Sequence, residues 1–218
     1  MPISLRLRRH PSAVLLAAQL IALVLFPVMD NTGSGRLLYA AVGAVVVALA
    51  LWVVNRSPAV NWIAWAFAAP AISLTLAALL LGRGDLLAWS SVFESALYFY
   101  SAGALIAYML KDHEVTGDEL FAAGATFTLL AWGFAYAYFV CQAWFPHSFS
   151  AMLNPDAPRT WTELLFLSFT TLSGVGLGDI VPLTPPARVL VMLEEFAGVG
   201  YIAAIVSRLI GLTVRERR

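Results

Sequence analysis

The sequence predicts an all-α membrane protein: six transmembrane helices and one further short helix that enters the bilayer and stops. Three observations predict it. Of 218 residues, 61% are hydrophobic and only 12% charged, about half the charged share of a soluble domain. Apolar stretches of about 20 residues, the length that crosses the hydrocarbon core, recur between breaks of Gly, Pro, Asn or charge. One segment, 145–185, fits neither a span nor a plain loop.

Spans are expected over 12–29, 37–54, 61–81, 86–110, 119–144 and 186–212, with breaks at 30–35, 55–58, 82–85 and 111–117. The first follows Arg6, Arg8 and Arg9 as a signal peptide would, yet no small-residue cleavage site follows it and it is long for such a segment; it is read as a span. Trp52, Trp62, Trp65, Trp89, Trp144 and Trp161 cluster near span ends, as in interfacial belts, whereas Trp132 is mid-span and is expected to pack. Pro70 falls inside the third span, where a kink is expected. With six spans, Arg6, Arg8, Arg9, Arg56, Lys111, Arg208, Arg215, Arg217 and Arg218 share one side, and Arg36, Arg83, Arg159 and Arg188 the other. The grouped nine place both termini in the cytoplasm of a multi-pass cell-membrane protein.

Zero net charge gives no basic field for nucleic acid. The scattered histidines and the lone Cys141 exclude a disulfide framework and a Cys/His zinc cluster. No organic cofactor is expected.

Between the last two spans, 145–159 reads as an external loop in which His147 and Asp156 are expected in a solvated turret. Thr160 and Glu163 then form a capping-box pattern ahead of an apolar run ending at Leu172. A helix over 161–172 is roughly 18 Å long, too short to cross. Irregular backbone after such a helix is tolerated at membrane depth only beside protein or a water-filled cavity. Next, Gly174, Gly176 and Gly178 alternate with Val175 and Leu177. Glycines at every second residue let the backbone take positive φ in alternation, so that successive carbonyls point one way and four such strands form rings of oxygens that replace an ion's hydration shell. One chain supplies one strand, so the site calls for a homotetramer. The short helix aims its C-terminal dipole at the cavity, favouring a cation.

The stretch from Glu163 to Leu212 resembles the pore module of potassium channels, whose filter reads Thr-Val-Gly-Tyr-Gly-Asp. Val175, Gly176, Gly178, Asp179 and Pro182 match, Thr171 matches the usual pore-helix threonine, and Gly198 falls where the family's inner helix carries its hinge glycine. The resemblance implies a pore domain over 113–218 (outer helix 119–144, pore helix 161–172, filter 174–179, inner helix 186–212) and a tetramer of this chain in lipid. K+ ions would sit on the backbone carbonyls of Gly174, Val175, Gly176, Leu177 and Gly178, supported by Thr170, Thr171, Ser173 and Asp179. By helical phase, Val199, Ile202 and Val206 would line the cavity. Two filter positions depart from the pattern. Gly174 replaces the threonine whose hydroxyls form the innermost site, and Leu177 replaces an aromatic residue whose pore-helix partners would be Phe166 and Leu167. The first departure leaves a weakly selective Na+/K+ pore as the alternative.

Glu194 and Glu195, about 100° apart on the inner helix, are costly inside a membrane. Glu195 is expected on the face toward the filter, with one carboxylate bonding the pore helix around 170–173; the other reading sends both to polar backbone near the span's outer end. Glu94 is placed near a span end in a snorkelling or capping role. The first domain, 1–112, matches a voltage sensor only in helix count, since 86–110 holds no Lys or Arg, so gating by a charged fourth helix is not expected. With only a short tail after Leu212, no cytoplasmic ligand-binding module is expected. Ser173-Gly174 superficially matches a serine-protease loop, but with no histidine in any span a Ser–His dyad lacks its base. A transporter would show broken helices in two related halves. Neither an enzyme nor a transporter is expected.

Overall fold

The computed structural model describes residues 11–30, 43, 45–52, 61–110 and 117–216. The cationic residues Arg6, Arg8, Arg9, Arg36, Arg56, Lys111, Arg217 and Arg218, on which the expected orientation leans, lie outside the described residues.

The elements are α1 (Pro11–Asp30), a helical stretch at 45–52, α2 (Asn61–Leu81), α3 (Asp85–Met109), α4 (Gly117–Trp144), β1 (Phe149–Ala151), α5 (Trp161–Leu172), β2 (Ile180–Pro182) and α6 (Pro185–Glu216). Among the described residues, α2, α3, α4 and α6 are long and apolar enough to cross a membrane. In α1 the apolar stretch Pro11–Phe26 is shorter, and the helical 45–52 is the described part of the expected second span.

α4 is the hub, packing on α1, α3, α5 and α6. Small residues let the helices approach closely. Ala64, Ala68, Ala71 and Ala78 form the buried face of α2, and α3 buries Ser90, Ser91, Ser95, Ser101, Ala102 and Ala104. Hydroxyls then serve as glue. Ser95 Oγ donates to the Gly133 carbonyl at 2.9 Å, and Ser90 Oγ donates to that of Ala71 at 2.8 Å. Large aromatics fill the space between α1, α3 and α4, where Tyr98 meets Trp132 edge-on at 5.6 Å and Phe26 meets Trp132 at 5.9 Å.

The N-terminus of α4 gathers three helices. Ser12, at the start of α1, donates its backbone N–H (3.2 Å) and hydroxyl (2.9 Å) to the Asp118 carboxylate, which Tyr108 of α3 also reaches. Next to it, Glu119 pairs with Arg208 of α6 at 3.3 Å.

α6 differs from the rest. Only 11% of its apolar span is covered by the chain itself, against 56% for α4. Val189, Met192, Phe196, Val199, Ile202 and Val206 are exposed in a stripe at helical spacing, while Ala187, Glu194 and Gly198 face inward.

Candidate functional site

The site is built on α5. Its first turn is closed by a full capping box: Thr160 Oγ1 accepts from the Glu163 N–H at 3.2 Å, and Glu163 Oε2 accepts from the Thr160 N–H at 2.6 Å. Arg159, almost wholly buried, fixes the approach. Its guanidinium donates to the Leu153 carbonyl and to Glu163 Oε1, both at 3.3 Å, while the Gln142 side chain brackets its backbone N–H and carbonyl. The 145–159 loop, α4 and α5 are thus joined at one point.

At the other end α5 runs straight into the glycine segment. The Gly174 N–H donates to the Thr171 carbonyl and the Gly176 N–H to that of Thr170, each at 3.0 Å, so the chain folds back over the last turn of the helix. Gly174, Gly176 and Gly178 have φ of +73°, +56° and +72°, whereas Val175 and Leu177 keep negative φ. The left-handed region is open to glycine and strained for other residues, so the alternation in sequence is an alternation in backbone hand. Residues 173–179 are all exposed, Val175 and Leu177 by more than 60%. None of the described residues covers the segment.

Behind it the backbone is held. β1 and β2 pair antiparallel with Ser150 opposite Val181, and Ser148 bonds the Leu183 N–H (2.8 Å) and the Thr184 hydroxyl (2.9 Å). The exit of the glycine segment is therefore stitched to the 145–159 loop. Thr171 is buried, Thr170 donates to the Leu167 carbonyl at 2.9 Å, and Ser173 donates to that of Thr170 at 3.2 Å. Asp179 is exposed, as are His147 and Asp156 in the loop. Of the two helix positions expected beside Leu177, Leu167 is buried and Phe166 is partly exposed.

The two adjacent glutamates part company. Glu194 is fully buried, and its carboxyl group meets the hydroxyls of Tyr138 on α4 and Ser168 on α5 within hydrogen-bond distance. Glu195, expected to face the glycine segment, is exposed. The reason is helical phase: Glu194 lies four residues before Gly198, whose backbone packs closely on Leu172 of α5. The contact on α5 is Ser168, just short of the expected 170–173. Ser168 Oγ also lies 2.7 Å from the Ala131 carbonyl. A hydroxyl has one proton, and that carbonyl can only accept. All contacts are satisfied together when Glu194 is protonated, donating to Ser168 while Ser168 donates to Ala131 and Tyr138 donates to Glu194.

Gly198 packs against the C-terminal end of α5, and Val199, Ile202 and Val206 lie on the uncovered stripe of α6. Sequence reasoning missed Tyr138, Ser168 and Arg159. A serine inside the otherwise apolar run 164–169 was the available signal for Ser168; an interfacial tyrosine and a loop arginine carry none. Among the described residues no cluster of His, Cys, Asp and Glu could hold a metal ion; the polar groups of the glycine segment are backbone ones.

A capped helix too short to cross a membrane, a glycine segment of alternating backbone hand and a long helix with an uncovered apolar stripe follow one another in the chain. No curated protein and no solved structure matches the chain. A family model described as ion channel matches residues 95–215, from the middle of α3 to the end of α6 and more than half of the sequence. The protein is therefore a channel rather than an enzyme, and the chain belongs to the ion channel family.

Proposed function

We propose that the chain is one subunit of a homotetrameric potassium-type channel that passes K+ passively across the cell membrane. The observation that carries this reading is the alternation of backbone hand at 174–178 on a strand uncovered by its own chain. One such strand cannot surround an ion; four can, with rings of carbonyl oxygens from Gly174, Val175, Gly176, Leu177 and Gly178 replacing the hydration shell. The exposed stripe of α6 supports the same assembly. A run of Val, Met, Phe and Ile open on a single chain is what neighbouring subunits and lipid would cover, with Val199, Ile202 and Val206 toward the central cavity.

In this reading Asp179 braces the outer mouth, Thr170, Thr171 and Ser173 support the filter, and Glu194 ties the pore helix to the outer helix. The first domain is a four-helix membrane unit, and all six expected spans cross with both termini cytoplasmic. α3 carries no Lys or Arg, so displacement of a charged α3 does not open the pore.

A second reading, a cation pore that discriminates poorly between Na+ and K+, is favoured by Gly174, which leaves the innermost ring without side-chain hydroxyls. Reconstitution in planar bilayers with K+ on one side and Na+ on the other separates the two. A reversal potential near the K+ equilibrium value supports the first, and one near zero with resolved unitary currents supports the second. Absence of current in any lipid would overturn both.

A further inference from the structure

Two alanines leave a groove in the helix packing. Ala197 and Ala204 of α6 are seven residues apart, about two turns of helix, so they lie on one side of it. Opposite them stand Ile106 and Met109, near the end of α3, and Leu130 of α4 forms the floor. With only methyl groups on one wall the three helices do not close, and a groove of about 230 Å³ remains.

The groove has a chemical direction. Its lining is apolar except for two residues of α6, Tyr201 and Arg208. The Tyr201 hydroxyl is engaged, donating to the Ala123 carbonyl of α4 at 2.6 Å. Arg208 stands at the far end, where it pairs with Glu119 of α4 at 3.3 Å. From Ala197 to Arg208 the groove follows α6 for about 16 Å, at 1.5 Å per residue. That is close to the depth of one leaflet, half of a hydrocarbon core about 30 Å thick. It opens sideways: Leu110 and Ala204 on its rim are exposed, and α6 is the least covered of the four long apolar helices.

These features decide what can occupy it. A buried water needs two to four polar partners, and this lining does not offer them. An apolar cavity of about 150 Å³ already takes up a hydrocarbon such as benzene, and at membrane depth the solvent is itself hydrocarbon. Spread along its length, the volume makes a slot one unbranched chain wide, too narrow for a second helix of about 10 Å diameter. The occupant is therefore a flexible apolar chain about one leaflet long. Its polar end lies beside a guanidinium, a group that binds phosphate oxygens strongly and whose long stem reaches the interface from within a span.

We propose that the groove between α3, α4 and α6 is a binding site for one acyl chain of a membrane phospholipid, whose phosphate lies at the level of Arg208. The bound chain fills the space that Ala197 and Ala204 leave and ties α3 to the half of α6 beyond Gly198. The site requires these helices to lie in a membrane; it does not depend on which ion passes.

Full-length protein in vesicles of phosphatidylcholine and phosphatidylglycerol tests it, with a trace of each lipid carrying a diazirine along one acyl chain. The protein is extracted into mild detergent, which strips loosely held lipid, and is then irradiated. Peptide mass spectrometry should find adducts on 106–110 and 197–208, at several times the yield on the open face of α2 at Trp62, Leu76 and Leu80. Adducts no more frequent in the groove than on α2 would overturn the site. Ala204→Phe should cut the groove adducts several-fold, and Ala197→Leu should do so from the other end. Unchanged adducts in whichever of these variants folds would overturn it as well. Phospholipid returned to delipidated protein should raise the thermal midpoint of the native chain, as a ligand of the folded state does, and leave that of Ala204→Phe unmoved; equal rises would count against the groove. A diacylglycerol probe with the same chains should label the groove several-fold less, and equal labelling would overturn the role of the phosphate. A photo-reactive side chain placed at residue 110 should take up lipid. If it joins two copies of the chain instead, a second copy covers the groove and the proposal falls.

Discussion

Gly198 of α6 lies so close to Leu172 of α5 that a Cβ at residue 198 would stand 2.0 Å from the Leu172 carbonyl oxygen and 2.8 Å from its carbon. The obstacle is backbone, so no side-chain rotation relieves it. Gly198→Ala should therefore push α5 and α6 apart at the turn that feeds the glycine segment. Overpacking of this kind costs about 1–3 kcal/mol, and here it acts on every subunit of the proposed tetramer. The expected result is a lower thermal midpoint in detergent and a smaller tetramer fraction on native gels. A hinge role alone would give another outcome: normal assembly and stability with altered open probability.

Glu194 gives a sharper contrast, because the proton count at Ser168 calls for a neutral side chain. Glu194→Gln can place its amide N–H toward Ser168 and its carbonyl toward Tyr138, so it should keep stability and ion selectivity near native. Glu194→Ala strands the buried Tyr138 hydroxyl, at about 1–3 kcal/mol for a group left unpaired, and should broaden or abolish selectivity. The double variant of Tyr138→Phe with Ser168→Ala should cost less than the sum of the single changes, since both act through one carboxyl group. Thermal denaturation of the two Glu194 variants, the two single hydroxyl variants and their double checks this. A Glu194→Gln protein as unstable as Glu194→Ala would mean that a charged carboxylate is required.

How much of this was legible in the sequence depended on whether the signal was local. The capping box at Thr160 and Glu163 involves residues three apart, and the structure contains both of its hydrogen bonds. The glycine alternation is likewise a property of five successive residues. Which of Glu194 and Glu195 faces inward was not legible, because the answer depends on where α6 touches α5, a contact set by Gly198 and Leu172 far apart in the chain. The short β1–β2 pairing links residues about thirty positions apart through backbone groups, on which sequence pattern is silent.

At the opposite end of α6 from its contact with the start of the glycine segment, Glu119 and Arg208 form an ion pair that is mostly screened from solvent, with side-chain exposures of 5% and 14%. Breaking a buried pair by removing one partner leaves an uncompensated charge and costs about 3–5 kcal/mol. The same short stretch of α4 holds Ser12 through Asp118, so the pair couples the end of the inner helix to the start of α1. Glu119→Gln and Arg208→Gln should both change open probability in the same direction, and the exchanged pair Glu119→Arg with Arg208→Glu should recover part of the native value. Single-channel recording checks it; independent, additive effects of the two changes would show that the pair does not act as a unit.

Gly174 is the position where a threonine would be the natural attempt to tighten selectivity, and its geometry argues that the attempt fails as a simple addition. Within one chain there is space, since nothing lies within 4 Å of a Cβ built there. The backbone is the difficulty: φ is +73°, and a non-glycine residue held in the left-handed region is strained by about 1–3 kcal/mol, a β-branched one most of all. The strand can relieve that strain only by moving residue 174 to negative φ, which breaks the alternation and releases the hydrogen bonds from Gly174 to Thr171 and from Gly176 to Thr170. Gly174→Thr should therefore lower unitary K+ conductance and thermal stability together, and Gly174→Ala should show a smaller loss in the same direction. Reversal potentials and unitary currents of the three proteins under mixed Na+ and K+ decide it. A Gly174→Thr channel with native conductance and improved selectivity would mean that the strand reaches negative φ at residue 174 without cost.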